Sequence, residues 1–192
     1  MRLKNAFVSG LFAMILAGLI VAGDGLAEWG NPPFPSYGSG PVEVRIYSDY
    51  FCSPCRATEP AMEPILKDLL KKNLIRLTLV DTPVHPHTHL YARYFLYALK
   101  ENNDVNHAFQ VRNILFEASN KPITTKEQIE AIFKEKWIPY AVFDTKSAFG
   151  GYSVLLKEDK INRTPTCVII KGGEKKAFVG GPDIINALKA LP

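Results

Sequence analysis

The sequence predicts an α/β protein: a mixed β-sheet flanked by helices, with a block of helices inserted between its two halves. Three observations predict it. An alternating stretch, a helical stretch and a second alternating stretch follow one another within residues 42–80, the order of a β–α–β unit. Residues 83–151 then carry helical apolar spacing and no convincing strand. Strand signals return on either side of Gly172-Gly173, with a last helical stretch behind them, which reads as a hairpin and a closing helix.

The chain opens with Met1, Arg2 and Lys4, runs apolar over residues 6–22, and leaves that run through Gly25-Leu26-Ala27 before Glu28. A positive start, an apolar middle and a small-residue exit are the three parts of a secretory signal. Residues 1–27 are therefore expected to be a cleaved signal peptide, the alternative being an uncleaved anchor. Either way the remainder is exported, most simply to a bacterial periplasm. Residues 28–40, EWGNPPFPSYGSG, have Pro and Gly without an apolar period and read as an extended linker.

Val42, Val44 and Ile46 alternate with Glu43 and Arg45 in a first strand that ends at Ser48-Asp49. Residues 54–73 place Met62, Ile65, Leu66, Leu69 and Leu70 at helical spacing, and residues 74–80 alternate again. Four helical stretches follow at 91–100, 106–119, 125–137 and 141–149, the last closed by Gly150-Gly151. Strands are expected at 166–170 and 177–179, and a helix at 183–191. The predicted organisation is a core domain made of 41–82 and 152–192, interrupted by a helical insertion at 83–151.

Removing residues 1–27 takes Arg2, Lys4 and Asp24 and leaves 165 residues, 21 basic and 18 acidic, with a net charge of +3. That length suits one domain with its own core. The charge is too mild to argue for nucleic acid, and no basic cluster with interleaved aromatics occurs.

Three cysteines remain: Cys52, Cys55 and Cys167. A bridge between Cys52 and Cys55 closes so small a loop that it constrains the unfolded chain very little, so the pair makes a poor staple. Cys52 falls where the first strand ends and a helix begins. Unpaired N–H groups and the positive end of the helix dipole there favour a thiolate. Cys55 lies one turn in, on the same face, where its sulfur can reach the first. Pro54 pre-sets the helical φ of the first turn and has no N–H to leave unsatisfied. The pair therefore reads as a redox couple. A zinc site is the rival, but it would need Cys167 and a histidine as further ligands, and no second C-x-x-C exists.

At this point the chain resembles the thioredoxin-fold proteins, and among them the exported DsbA-type thiol–disulfide oxidoreductases, over most of residues 41–192. The segment SDYFCSPC is similar to their active-site segment, and Pro60 stands where thioredoxin-like proteins kink the active-site helix. RTPTCVIIKGG, 163–173, is similar to their T-P-T segment, and NHAFQVRNILFEA and LYARYFLYAL are similar to helices of their inserted helical domain. The resemblance implies a thioredoxin fold and exchange of disulfides with protein clients. Cys52 would be the nucleophile, Cys55 the resolving thiol, and a cis Pro165 with Thr164 would face the pair. Phe51, Ser53 and Pro54 would border the substrate. No metal and no cofactor is implied, since the electrons reside in the sulfurs, but turnover implies a membrane-bound redox partner.

The chain also departs from that pattern. Ser53-Pro54 replaces the Pro-His pair of strongly oxidising members, and Pro54 before Cys55 is closer to the reducing thioredoxins. The position of the family's buried acid falls on Ile46. Asp49 and Glu59 are the candidate substitutes as proton acceptor, an exposed, solvating role being the alternative for each. The direction expected is disulfide donation, with an exported reductase as the alternative and a metal-binding or chaperone-like module as a third reading. His85, His87 and His89 read as an exposed loop near the active site, or else as metal ligands. Cys167, inside an apolar strand, reads as a buried small hydrophobe on the same side as Pro165.

Overall fold

The computed structural model describes residues 33–192. The expected signal segment and the start of the expected linker lie outside them. Five strands form one mixed sheet in the order β1-β3-β2-β4-β5: β1 is Ser36–Tyr37, β2 Val42–Ser48, β3 Ile75–Asp81, β4 Thr166–Lys171 and β5 Glu174–Val179. Strands β2 and β3 are parallel, joined by helix α1, Ser53–Lys71. The pairs β1–β3, β2–β4 and β4–β5 are antiparallel. Among the described residues six helices surround this mixed sheet, the arrangement of a thioredoxin-like fold.

Alternation along the strands builds two cores. Val44, Ile46, Leu77, Leu79 and Cys167 face one side, where they meet Met62, Leu66 and Leu69 of α1 and the closing helix α6, Gly181–Lys189. Each such fully buried side chain contributes roughly 1.5–3 kcal/mol through area withdrawn from water. Tyr47, Val80 and Val168 face the other side, against Ala148, Tyr152 and Leu155. Those three belong to α5, Lys146–Glu158. The hairpin between β4 and β5 turns at Gly172 and Gly173, both at positive φ, a conformation that glycine adopts at no steric cost.

Between β3 and β4 lie α2 (Thr88–Glu101), α3 (Val105–Ala118), α4 (Lys126–Glu135) and α5. Asp104 caps α3 by accepting from the Asn106 and His107 N–H groups, and Thr125 with Gln128 forms a capping box on α4. The aromatic side chains Tyr91, Tyr94, Phe95 and Tyr97 of α2 are all buried in the first core.

Two expectations are corrected. The helical stretch expected at 141–149 is instead α5, which starts at Lys146 and runs through Gly150 and Gly151, so the boundary drawn at 151 falls inside it. Glycine costs a helix about 1 kcal/mol relative to alanine. Here the buried face of Ala148, Tyr152 and Leu155 outweighs that cost, and a Cβ at Gly151 would lie 2.6 Å from the Phe34 ring. The same ring shows that the expected linker is anchored at its end. Phe34 is buried on Tyr152, and Ser36–Tyr37 pairs with β3 as an edge strand.

Candidate active site

Cys52 is the N-cap residue of α1, with extended backbone and no side-chain cap bond. Its N–H donates to the Asp49 carbonyl at 3.1 Å and its carbonyl accepts from the Arg56 N–H. The Cys52 thiol donates to the Thr164 carbonyl oxygen at 3.4 Å. The Thr164–Pro165 peptide bond is cis. Pro165 is in turn tied to the far edge of the sheet, its carbonyl accepting from the Gly180 N–H at 3.0 Å. Cys52, Cys55, Thr164 and Pro165 therefore meet at the carboxyl end of β2 and the amino end of β4. Ser53 and Pro54 are exposed beside them, and Phe51 is half-buried against the His87 and Tyr91 rings.

The two thiols differ in surroundings. Cys55 is 1% exposed and Cys52 9%. Burial pushes the Cys55 thiol up to about 12, against smaller opposing hydrogen bonds from the Asp49 main chain and from Thr164. Cys55 is therefore a neutral thiol at neutral pH. Cys167 is buried in β4 opposite Ile46 and Phe178, and burial likewise lifts it to about 12.

Asp49 and Glu59 are neither exposed nor solvating. The Asp49 carboxylate is fully buried and accepts from the Phe51 N–H at 2.7 Å, the Val84 N–H at 2.8 Å, the His85 N–H at 3.0 Å and the Thr88 hydroxyl at 2.8 Å. Glu59 lies on α1, one turn beyond Cys55, and accepts two hydrogen bonds from Arg112 of α3, at 2.7 and 3.1 Å. The same guanidinium reaches Ser48 at 2.8 Å and Asp81 at 3.4 Å, and packs over the rings of Phe116, Phe95 and Tyr50. Tyr50 donates to Asp81 at 3.3 Å. Two carboxylates and one guanidinium are thus sealed beneath the redox helix. Burial raises Asp81 to about 7, with Arg112 and Tyr50 pulling it down and Glu59 and Asp49 pushing it up.

Arg112 and Asp81 escaped the sequence reading. The available signals were slight: an arginine set among Phe109, Val111, Leu115 and Phe116, and an aspartate closing an otherwise apolar strand. The three histidines turn to different partners. His85 Nδ1 lies 3.2 Å from Asp49, His87 meets Phe51 and His89 meets Phe149. Among the described residues no group of three or more His, Cys, Asp or Glu side chains is arranged to hold a metal ion.

Comparison with known proteins agrees with this fold. The sequence pattern of the thioredoxin family matches residues 37–177. No curated protein matches the chain. Among solved structures, a periplasmic thioredoxin-like protein from Salmonella enterica serovar Typhimurium superposes with a TM-score of 0.61 at 16% identity, covering 85% of this chain and 94% of its own. Wolbachia pipientis α-DsbA1 gives 0.63 at 13% identity over 81% and 89%. The thiol-disulfide exchange protein α-DsbA2 of the same organism gives 0.57 at 19% identity over 81% and 83%. At these identities the likeness is one of fold.

Proposed function

Since the chain belongs to the thioredoxin family, we propose that it is an exported dithiol–disulfide oxidoreductase that donates disulfides to protein clients. One observation carries the reading. The Cys52 sulfur sits at the amino end of α1, 3.4 Å from the Thr164 carbonyl beside cis Pro165, with buried Cys55 one turn behind it.

A client thiolate attacks Cys52 of the Cys52–Cys55 disulfide, forming a mixed disulfide and releasing Cys55 as a thiolate that takes up a proton. A second client thiolate then attacks the client sulfur of the mixed disulfide and releases Cys52. The client loses two electrons and the pair gains them. Burial keeps reduced Cys55 a neutral thiol, so Cys52 alone meets the client. Thr164 and Pro165 shape the edge along which an extended client lies, and Phe51, Ser53 and Pro54 border it. The sulfurs carry the electrons, so no cofactor is required, and a membrane-bound partner resets the pair.

Export rests on the signal-like segment 1–27 and agrees with the periplasmic description of the Salmonella relative. The residues between the cysteines favour a second reading in which electrons flow the other way. Ser53-Pro54 lacks the histidine of strong oxidants and ends in proline as reducing thioredoxins do.

The deciding experiment is the equilibrium of the Cys52–Cys55 pair with glutathione. A potential near roughly −120 mV makes the protein a disulfide donor, and one near roughly −270 mV makes it a reductase. Absence of any reversible couple, or full exchange activity in Cys52→Ser, overturns the oxidoreductase reading.

A further inference from the structure

The rim around Cys52 carries cations and offers no carboxylate. Four segments converge there. Residues 50–58 hold the cysteines, and 82–91 join them through the His87 and Tyr91 rings on Phe51. Residues 161–166 hold the Thr164–Pro165 bond, and 178–182 join through the Gly180 N–H on the Pro165 carbonyl. None of the four contains an Asp or Glu. The acids that adjoin the first two, Asp49, Glu59 and Asp81, are buried and bonded to the protein's own donors. Asp183, exposed in the first turn of α6, follows the last segment.

Two arginines flank Cys52. The Arg56 N–H donates to the Cys52 carbonyl at 3.1 Å, and its guanidinium turns back so that Nη1 donates to the Tyr50 carbonyl at 3.4 Å. Arg163 is exposed and directly precedes Thr164, whose carbonyl accepts the Cys52 thiol. The Arg163 carbonyl accepts the Thr166 hydroxyl at 2.8 Å, closing the turn around Pro165. Among the described residues neither guanidinium is paired with a carboxylate. The groove leading from Arg56 between α1 and α3 does hold Glu63 and Glu117, but Glu63 is engaged by Lys67 and Asn113.

From this arrangement we infer that the site prefers client cysteines flanked by aspartate or glutamate, and that Arg56 and Arg163 determine the preference. The inference rests on the oxidoreductase reading and names its substrate class. A guanidinium presents a planar fork that matches a carboxylate. Residues of an extended client advance about 3.3 Å each, so acids one to three places from its cysteine lie along the rim while that cysteine meets Cys52. A cysteine flanked by lysines brings like charge to both arginines and finds no carboxylate in exchange.

The test measures how fast the oxidised protein oxidises three blocked peptides, each with one cysteine between pairs of Glu, Gln or Lys. At pH 8 histidine is ordinarily neutral, which leaves the arginines as the charges compared. Each rate is divided by that peptide's rate with uncharged 2,2′-dithiodipyridine, which removes differences in intrinsic thiol reactivity. The Glu peptide is expected to react roughly two- to ten-fold faster than the Gln peptide, the scale of one or two exposed ion pairs, and the Lys peptide more slowly. In Arg56→Gln/Arg163→Gln the Glu-to-Gln ratio should fall to near one, as it should for wild type in about 1 M salt. Lys71→Gln/Lys171→Gln loses the same charge at the far ends of α1 and β4 and should keep the wild-type ratio. A second readout needs no disulfide exchange. Alkylation of reduced Cys52 by iodoacetate, relative to neutral iodoacetamide, should slow roughly two- to five-fold in the arginine variant. The inference is overturned if the peptides react at equal normalised rates, if the arginine variant keeps the wild-type ratios, or if the lysine variant loses them. Failure to oxidise any peptide would instead contradict the oxidoreductase reading, and the alkylation ratio would still decide whether Arg56 and Arg163 draw a carboxylate to Cys52.

Discussion

The guanidinium of Arg112 lies 2.7 Å from the Glu59 carboxylate, binding α3 of the helical block to the redox helix one turn beyond Cys55. Arg112 is 0% exposed and Glu59 2%. Removing one partner of a buried pair costs more than the pair contributes, because the other charge stays buried alone. Arg112 also serves Asp81, so its loss orphans two carboxylates. Arg112→Leu is expected to destabilise the fold by about 3–5 kcal/mol in urea unfolding at neutral pH, and adding Glu59→Gln to recover part of the loss. An unchanged midpoint for Arg112→Leu would remove the cluster from any account of stability.

Asp81 makes that stability depend on pH. Its carboxyl is raised by burial from an ordinary 3.8 to about 7 in the folded chain. Between those values the native state holds a proton that the unfolded state has lost. The contribution is full below about pH 4, falls as pH rises towards 7, and changes no further above it. The expected slope is at most about 1.4 kcal/mol per pH unit. Asp81→Asn cannot ionise, so relative to wild type it gains stability between pH 4 and pH 7. Parallel stability profiles for the two proteins over that window would show that Asp81 is ionised throughout.

How much of this was legible in the sequence depended on how local the cause was. Strand β2 and helix α1 carry their periods openly, and the turn at Gly172-Gly173 and the Cys52–Cys55 spacing are short-range signals. Strand β1 is two residues long and owes its place to pairing with β3 and to Phe34 on Tyr152, contacts that no periodicity announces. Asp49 and Glu59 look like ordinary acids beside a loop and a helix. Only the fold brings Thr88 and the Val84 N–H to one and Arg112 to the other, across 35 to 53 residues of chain. Arg112 was invisible for the same reason, since its partners come from α1, β2 and β3.

Gly150 and Gly151 look alike in sequence and differ in structure. Both lie within α5, but a Cβ at Gly150 meets nothing within 4 Å, whereas one at Gly151 meets the Phe34 ring at 2.6 Å. Gly150→Ala is therefore expected to stabilise by roughly 0.5–1 kcal/mol through helix propensity. Gly151→Ala is expected to lower the thermal midpoint, because Phe34 must leave its place on Tyr152. Equal effects of the two substitutions would mean that Phe34 does not hold the amino-terminal segment against α5.

The three thiols are expected to separate by reactivity. Cys55 and Cys167 are both lifted to about 12 by burial, and the nucleophile in alkylation is the thiolate. A brief iodoacetamide pulse on the reduced protein at pH 7 should label Cys52 and spare the other two, until urea exposes all three. Cys167 faces Ile46 and Phe178 across its neighbouring strands, so Cys167→Ser places a hydroxyl in an apolar core and should cost about 1–3 kcal/mol of stability. Its exchange activity should match wild type. Native-state labelling of Cys167 at the rate of Cys52, or loss of exchange in a folded Cys167→Ser, would make the third cysteine a participant in the redox chemistry and not a packing residue.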